Sequence, residues 1–300
     1  MIWWLLIGIG VLLCLLGLGI GNFFFHMAIE RNKKGFIQEE PRVGPAYDWF
    51  HQASGYEEVS ITSKDGLRLH AYLIKAKPTT TAFGIIIHGY GGNATMMAPA
   101  AQRFYEQGYG VLLCDLRAHG KSEGNVIGFG GKDSEDILTW SNYLVSKHKA
   151  ETIFLYGVSM GAASVMMCAD RVAPQVRCVI EDCGFASLKQ QVSYLLDHQF
   201  HYPKALVLPC ANIVMKFRAH YQMKDVEPWK HVAKAKVPML FIHGDKDDFV
   251  PFFMLDEVYK VCPTPKQKVI IVGAGHGKCR HVDPQRYWDS IDSWVKRYMK

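Results

Sequence analysis

The amino-acid sequence predicts an α/β protein with a mostly parallel sheet of eight strands, helices on both faces and an antiparallel hairpin at its start. Two stretches that alternate between apolar and polar residues flank Lys64-Asp65-Gly66, which is a strong hairpin signal. After the hairpin, short apolar runs alternate with longer helical patterns, as they do in successive βα units. One long insertion breaks this alternation and predicts a helical cap.

These patterns set the expected bounds of the elements. The strands are expected at residues 57–63, 67–74, 83–88, 110–115, 152–156, 176–181, 238–243 and 268–272. The helices between them are expected at residues 95–107, 132–147, 160–172, 251–261 and 284–299. Residues 187–236 separate two strands where one crossover helix would suffice, and their apolar residues recur at helical spacing. We expect them to cap the carboxyl ends of the strands; helices on the sheet edge are the alternative.

The composition is that of a folded globular protein. A chain of 300 residues can bury a full core, and its 49% hydrophobic and 21% charged residues exclude a largely disordered protein. The net charge of +6 is spread along the chain among acidic residues, so no basic stripe predicts nucleic-acid binding. The eight cysteines include no CxxC spacing, and so large a core needs no disulfides. We therefore expect reduced thiols in a reducing compartment.

The first 26 residues are expected to anchor the chain in a membrane. Residues 2–25 carry no charged side chain, and a run of that length provides the roughly 20 residues that a membrane-crossing helix needs. Trp3 and Trp4 at one end and three phenylalanines at the other resemble interfacial aromatic belts. A cleaved signal peptide is the weaker alternative, because there is no basic start and no cleavage site.

The flanks of this apolar segment indicate an orientation. Arg31, Lys33 and Lys34 follow it while only the terminal amine precedes it, so the positive-inside rule places the rest of the chain in the cytoplasm as a single-pass protein. Gly17 and Gly21 form a GxxxG pattern that could pair helices, although a glycine-rich helix without a partner is the preferred interpretation. Residues 27–55, which include Pro41 and Pro45, are expected to form a linker or a peripheral helix.

A nucleophile is expected at the turn after the fifth predicted strand. Gly157-Val158-Ser159-Met160-Gly161 is a GxSxG motif, and it lies between a β run and a helical pattern. Small residues allow the tight strand-to-helix turn that exposes the serine hydroxyl above the sheet. This context makes Ser159 the candidate nucleophile.

Serine is weakly nucleophilic alone, so a base and an orienting acid are expected downstream. The candidate base is His276, because glycines flank it just after the last predicted strand. Other histidines have different expected roles: His88 and His243 are expected to be structural residues at strand ends, and residues such as His51, His148 and His231 are expected at the surface.

The acid and the oxyanion donors are expected on neighbouring loops. Asp245, Asp247 and Asp248 all follow the strand before that of the histidine, and spacing alone does not choose among them. The backbone N–H groups of Tyr90 and Met160 are the natural oxyanion donors, because they belong to the two glycine-containing loops that should meet above the sheet.

Together these motifs resemble those of the α/β-hydrolase superfamily, from about residue 57 to the end. The resemblance divides the chain into an anchor at 1–26, a linker at 27–55 and an α/β-hydrolase domain at 56–300. In that family the residue after His88-Gly89, here Tyr90, supplies an oxyanion amide, and a segment like Asp115 to Gly124 is structural. Matching the family's His-Gly-x-x-Asp-x-x-Val-Pro pattern to residues 243–251 implies that Asp247 is the acid.

The chain is most similar to membrane-anchored bacterial hydrolases labelled esterases, lysophospholipases or prolyl-oligopeptidase-like enzymes. The resemblance implies a serine hydrolase that forms an acyl-enzyme, and we expect no cofactor. We expect no metal site either, because the sequence has no HExxH motif and no paired Cys/His spacing. We expect small carboxylic esters as substrates, including lipid-derived ones. A serine peptidase of the prolyl-oligopeptidase-like type is the alternative, because one fold hosts many chemistries.

Two functions of other classes remain. Gly89-Tyr90-Gly91-Gly92-Asn93-Ala94 matches G-x-G-x-x-A before a helix and Asp115 ends the next strand, as in dinucleotide-binding proteins. That function would leave the serine and histidine loops unexplained. A non-catalytic membrane-tethered binding module is the second alternative, and the presence of all three catalytic residue types opposes it. The sequence does not indicate an oligomeric state.

Overall fold

The computed structural model describes residues 2–31 and 44–300. Within these residues eight strands form one sheet: β1 Glu57–Thr62, β2 Arg68–Ile74, β3 Ala82–Ile87, β4 Gly110–Cys114, β5 Thr152–Val158, β6 Val176–Asp182, β7 Met239–Gly244 and β8 Lys266–Ile271. Their order across the sheet is β1-β2-β4-β3-β5-β6-β7-β8. Every predicted strand is present, and the observed bounds differ from the predicted ones by two residues at most.

The strands are antiparallel at one edge of the sheet and parallel elsewhere. β1 pairs with β2 and β2 with β4 in antiparallel register, while β4, β3, β5, β6, β7 and β8 are parallel. The parallel strands β3 to β7 are almost entirely buried, as expected where helices cover both faces, whereas the edge strand β8 is only partly buried. The predicted fold class, an α/β-hydrolase fold with an amino-terminal hairpin, is confirmed.

Eleven helices lie in the described part of the chain: α1 Ile2–Ala28, α2 Pro45–Gln52, α3 Ala98–Glu106, α4 Gly131–His148, α5 Met160–Met166, α6 Leu188–Leu195, α7 Lys204–Arg218, α8 Pro228–Val232, α9 Phe253–Val261, α10 Cys279–Val282 and α11 Pro284–Tyr298. One hydrophobic core joins the sheet to α4, α5 and α7–α9, and the core on the opposite face joins it to α2, α3 and α11. Helix α5 is shorter than predicted, because after Met166 the backbone changes to i→i−3 hydrogen bonds such as Cys168 N–H to Val165 O.

The insertion between β6 and β7 is helical, as expected. It contains α6, one π-helical turn at Leu196–Phe200, α7, a 3₁₀ turn at Met223–Asp225 and α8. Helix α6 and the π-helical turn line a cavity together with Ser159 at the end of β5. These segments therefore form a cap above the carboxyl ends of the strands, and the alternative of helices on the sheet edge does not describe them.

Helix α1 is apolar and long enough to cross a membrane, with 27 residues and a mean hydropathy of 2.4 over its most apolar 18 residues. The carboxyl-terminal end of α1 belongs to the core of the hydrolase fold. Phe25 is 1% exposed and Ile29 is 5% exposed, and both lie in the same core as β3 and β5. The backbone after the helix continues this attachment, since Ile127 N–H donates to Ile29 O and Arg31 N–H donates to Asn125 O.

The GxxxG pattern of α1 has a partner, so the interpretation of an unpartnered glycine-rich helix was wrong. A Cβ atom on Gly21 would lie 2.4 Å from Cys210 O on α7, and one on Gly17 would lie 3.4 Å from Cys210 Sγ. Only glycine at position 21 allows the two backbones to approach so closely. The pattern therefore joins α1 to the cap of the same chain.

The predicted linker is partly helical. Pro45 begins α2, whose Phe50 is buried against Tyr56 and Tyr72. Lys33, Lys34 and Pro41 lie outside the described residues. The predicted orientation across a membrane therefore stays a prediction.

Candidate active site

Ser159 lies on a strained turn between β5 and α5. Its backbone has φ 57° and ψ −117°, a left-handed conformation that a non-glycine residue adopts only where the surroundings enforce it. The glycines of the motif make the turn possible: a Cβ atom on Gly157 would lie 2.3 Å from Gly161 O, and one on Gly161 would lie 2.4 Å from Ile87 O. Ser159 N–H donates to Asp182 O at 2.8 Å, which fixes the turn against β6.

The structure brings Ser159, His276 and Asp247 together at the carboxyl ends of β5, β8 and β7. Ser159 Oγ lies 2.8 Å from His276 Nε2, and His276 Nδ1 lies 2.7 Å from Asp247 Oδ2. The competing aspartates lie elsewhere, because Asp245 accepts a hydrogen bond from Gly273 N–H at 2.6 Å and Asp248 is exposed. Of the three aspartates in this loop, Asp247 is the one that contacts the histidine.

The Asp247 carboxylate is buried and fully engaged. Its Oδ1 accepts hydrogen bonds from Phe249 N–H at 3.0 Å and Val250 N–H at 2.8 Å. Burial raises the pKa of Asp247, but hydrogen bonds from His243 and His276 outweigh burial and bring the pKa to about 2. An ionised carboxylate only accepts hydrogen bonds, so Nδ1 of His276 carries a proton. In the neutral imidazole, Nε2 is then free to accept the Ser159 hydroxyl proton.

His243 contacts the same oxygen of Asp247 as His276 does, a contact that the sequence did not reveal. Its Nε2 lies 3.2 Å from Asp247 Oδ2 and 3.0 Å from Val250 O. Burial lowers the pKa of the imidazole, but the hydrogen bond to Asp247 raises the pKa above its ordinary value. His243 thus has a structural role in positioning Asp247, and the i,i+4 spacing of the two residues is the signal that could have found it.

The two loops expected to supply oxyanion donors meet at the serine. Tyr90 and Met160 line the same cavity as Ser159, and a Cβ atom on Gly89 would lie 3.3 Å from Ser159 Cβ. The Tyr90 hydroxyl donates to Ala28 O at 3.0 Å, so the end of α1 holds this loop.

A cavity of about 360 Å³ opens above Ser159, a size typical of small-molecule sites. Helix α1 contributes three of its lining residues, Phe24, Met27 and Ala28, which we call the α1 wall. The cap and the loops supply the remaining lining residues: Tyr90, Phe129, Met160, Phe185, Leu188, Gln191, Val192, Leu195, Leu196, Gln199, Phe200, Phe249 and Val250. No charged side chain occurs among these described lining residues. The contribution of α1 was not predicted from the sequence.

The segment from Asp115 to Gly124 is structural, as the resemblance implies. Asp115 accepts hydrogen bonds from Ala94 N–H at 2.8 Å and Lys121 N–H at 3.0 Å, and its Oδ2 lies 2.9 Å from His70 Nδ1. With these partners the carboxylate is not available to a ribose hydroxyl. This arrangement opposes the dinucleotide-binding alternative.

A second group of buried polar side chains lies at the end of β6, next to His243, and was not predicted. Glu181 accepts a hydrogen bond from Gly184 N–H at 2.9 Å, and Asp182 accepts one from the Tyr287 hydroxyl at 2.8 Å. Burial raises the pKa of Glu181 to about 8. A neutral carboxyl is therefore expected beside the histidine that holds the ionised Asp247.

Among the residues that the structure describes, Cys183, Asp247 and His276 are close enough to share a metal ion, with ligand atoms within 4.8 Å of one another. Burial raises the pKa of the Cys183 thiol well above its ordinary value, which disfavours the thiolate that metals bind. Asp247 and His276 are also hydrogen-bonded to each other. The donor set fits a proton relay better than a metal site.

Residues 79–227 match the family model described as serine aminopeptidase, S33. The chain is similar to the uncharacterized protein YqkD of Bacillus subtilis, with 28% identity over 304 residues that cover 96% of this chain and 97% of that protein. It is also similar to the uncharacterized membrane protein YNL320W of Saccharomyces cerevisiae, with 26% identity over 80% of this chain and 79% of that protein.

Solved esterase structures share the fold. Esterase Pf2001 of Pyrococcus furiosus superposes with a TM-score of 0.69 and 23% identity, covering 88% of this chain and 98% of the esterase. An esterase of Exiguobacterium antarcticum superposes with a TM-score of 0.60 and 18% identity, covering 80% of this chain and 100% of the esterase. The sheet order, the helices on both faces and these comparisons lead to one identification: the chain has the α/β-hydrolase fold.

Proposed function

We propose that the protein is a serine esterase that hydrolyses carboxylic esters through an acyl-enzyme, with Ser159 as nucleophile, His276 as base and Asp247 as orienting acid. The observation that carries this proposal is the continuous relay from Ser159 Oγ to His276 at 2.8 Å and from His276 to the buried Asp247 at 2.7 Å. The strained turn that presents the hydroxyl at the cavity supports the same role.

The proposed reaction follows from the relay. Nε2 of His276 takes the hydroxyl proton as Ser159 Oγ attacks the ester carbonyl, and the backbone N–H groups of Tyr90 and Met160 stabilise the oxyanion. Asp247 stabilises the imidazolium that forms. His276 then gives its proton to the leaving alcohol, which departs as the acyl-enzyme forms. Water, deprotonated by His276, attacks the acyl-enzyme and releases the carboxylic acid and Ser159.

A serine peptidase is the second candidate, because the matching family model is described as a serine aminopeptidase. An aminopeptidase must bind the charged amino group of its substrate, for which a carboxylate in the cavity is the natural partner. The described lining residues carry no charge. An uncharged, mostly apolar cavity favours an acyl ester over a peptide with a free amine.

We further propose that residues 1–26 anchor the enzyme in a membrane as a single-pass helix with the hydrolase domain on the cytoplasmic side. The length and hydropathy of α1 and the Arg31 cation after the helix support this arrangement. Residues 27–55 would connect the anchor to the domain at 56–300, although the inner end of α1 already packs within that domain.

Labelling with a fluorophosphonate tests the nucleophile. The full chain in detergent should label in the wild type and in Ser60→Ala, which changes an exposed serine on β1, and should not label in Ser159→Ala. We expect Ser159→Ala to lower turnover of p-nitrophenyl butyrate by at least about a thousandfold without changing the fold. Undiminished labelling or turnover in Ser159→Ala would remove Ser159 from its role.

The same preparation separates the two candidate reactions. We expect p-nitrophenyl esters to be hydrolysed and aminoacyl p-nitroanilides with a free amine to be ignored. Preferential cleavage of the anilides would establish the peptidase instead.

A further inference from the structure

The contact between α1 and α7 brings the apolar anchor and the cap together. Gly17 and Gly21 lie against Cys210, and the Arg218 guanidinium lies 4.2 Å from the centre of the Phe25 ring and donates to Asn22 Oδ1 at 2.9 Å. Glycine-mediated contact of this kind is typical of helices that pair within membranes. Helix α7 is thus the neighbour of α1 at the inner part of the anchor.

Helix α7 also presents an exposed apolar stripe next to this contact. Leu206 and Ile213 are each 49% exposed and Phe217 is 70% exposed. With Cys210 between them, their spacing of three and four residues places them along one side of the helix. We call Leu206, Ile213 and Phe217 the α7 stripe. Large exposed apolar surfaces in soluble proteins usually mark a contact with another protein or a membrane.

Aromatic side chains connect the surface just before α7 to the cavity. The ring of Phe24, in the α1 wall, contacts Tyr202 at 5.5 Å, and Tyr202 stacks on Phe200 at 6.3 Å between ring centres. Phe200 and Phe24 line the cavity, while Tyr202 is 44% exposed and Phe200 38% exposed. An apolar path therefore leads from the outer surface beside α7 to Ser159.

We propose that the α7 stripe lies in a lipid leaflet beside α1, and that the substrate is a membrane-resident acyl ester that enters the cavity past Phe24, Phe200 and Tyr202. The identity of the substrate rests on the proposed esterase function, whereas the seating of α7 in the leaflet does not.

The surroundings of the stripe favour a bilayer over a second copy of the chain. The stripe continues the exposed surface of α1, whose length and apolarity already suit a membrane. Exposed Lys216 and Arg218 flank Phe217, and an aromatic residue beside cations is suited to the headgroup level of a bilayer, where lipid phosphates lie. The mono-acyl esters of a leaflet present an apolar chain and a polar head, which match the apolar cavity and the Ser159 loop.

Photo-crosslinking tests the seating of α7 without using activity. The full chain would be reconstituted in phosphatidylcholine vesicles that contain a phosphatidylcholine with a diazirine in its acyl chain, and crosslinked peptides would be mapped by mass spectrometry. We expect lipid adducts on α1 and on residues 204–218, and none around Phe253 and Val272, which are exposed apolar residues elsewhere. Adducts on α1 alone would overturn the proposal. A dimer in the vesicles whose α7 carries no lipid adducts would assign the stripe to a second copy of the chain instead.

Substitution of the stripe tests entry from the leaflet. The variant Leu206→Ser/Ile213→Ser/Phe217→Ser should lose at least about tenfold in kcat/KM on a monoacylglycerol dissolved in the vesicles, since losing the burial of even one such side chain in lipid weakens docking by about that factor. Its kcat/KM on soluble p-nitrophenyl butyrate should stay at the wild-type level. The matched control Phe253→Ser/Val272→Ser/Val282→Ser should behave as wild type on both substrates. Equal losses on the vesicle and soluble esters would contradict entry from the leaflet.

The two proposals fail separately. If neither ester is hydrolysed and Ser159 is not labelled, the esterase function fails, while lipid adducts on α7 would still establish its seating. If Ser159 is labelled but α7 yields no lipid adducts, the esterase stands and the membrane-seated cap is wrong.

Discussion

The carboxyl edge of the sheet and the α1 wall of the cavity hold their residues by different means. At the edge, polar contacts fix each group: Asp247 has two backbone N–H donors and two histidines around it. The α1 wall is held by apolar contacts from a segment remote in sequence: Phe24 lines the cavity, while its neighbour Phe25 is buried in the core and Phe23 is exposed. The difference teaches that the proposed chemistry depends on local loops, whereas the shape of the cavity depends on the docking of the first helix.

The largest expected effect comes from the polar edge. Asp247→Asn should lower kcat on p-nitrophenyl butyrate by about a thousandfold to ten-thousandfold, because the amide no longer stabilises the imidazolium and can hold the wrong tautomer of His276. Steady-state kinetics and circular dichroism of the full chain in detergent measure the loss and the fold.

Asp248→Asn is the matched control for this substitution. It removes an exposed carboxylate one residue further along the same loop, and should leave kcat near that of the wild type. Similar losses in both variants would mean that the loop conformation, and not the Asp247 carboxylate, limits the reaction.

The sequence predicted that Ser159 and His276 lie near each other, because the order of the parallel strands determines which loops share the carboxyl edge of the sheet. Ser159 and His276 each follow a recognisable strand, and parallel strands carry such loops to one edge. The choice of Asp247 over Asp245 and Asp248 came from the resemblance, since spacing cannot show which side chain turns towards the histidine. The buried Glu181 was not predicted, because a carboxyl at the end of an apolar strand resembles an ordinary surface residue.

The α1 wall could not be predicted for a physical reason. An apolar helix has no polar face, so its pattern does not show which side contacts protein. The contacts that fix it also join distant residues, such as Arg218 with Asn22, which lie 196 positions apart. The sequence showed a pairing motif in Gly17 and Gly21 but not its partner.

The next largest effect is expected at the carboxyl-terminal end of α1, if that end belongs to the hydrolase core. Phe25 is 1% exposed, and Phe25→Ala should lower the free energy of unfolding by about 3–5 kcal/mol, since it leaves a cavity in the core. Denaturant unfolding of the full chain in one detergent, followed by tryptophan fluorescence, measures the change.

Phe23→Ala provides the comparison on the same helix. Phe23 is 57% exposed, and its loss should change the free energy of unfolding by no more than about 0.5 kcal/mol. Equal effects of the two substitutions would show that α1 acts only as an anchor and that the core closes without it.

The smallest expected effect is the pH dependence of stability that Glu181 contributes, in contrast to Asp247. Partners lower the pKa of Asp247 to about 2, whereas burial raises that of Glu181 from 4.5 to about 8. At a pH below the pKa that Glu181 has in the unfolded chain, the carboxyl is protonated in both the folded and the unfolded state, so its burial carries no ionisation penalty. At a pH between the two pKa values, the folded protein retains a proton on Glu181 that the unfolded chain has lost. This group therefore makes the free energy of unfolding fall as the pH rises.

Glu181→Gln removes this dependence while an amide oxygen can still accept the Gly184 N–H hydrogen bond. Between about pH 6 and about pH 8 the variant should gain about 2 kcal/mol of unfolding free energy relative to the wild type. Glu106→Gln, at an exposed position on α3, should follow the wild type at both pH values. A constant difference between Glu181→Gln and the wild type would mean that Glu181 does not titrate in this range. The neighbouring His243 and Asp182 would then be the groups to examine, because both are buried beside it and His243 holds Asp247.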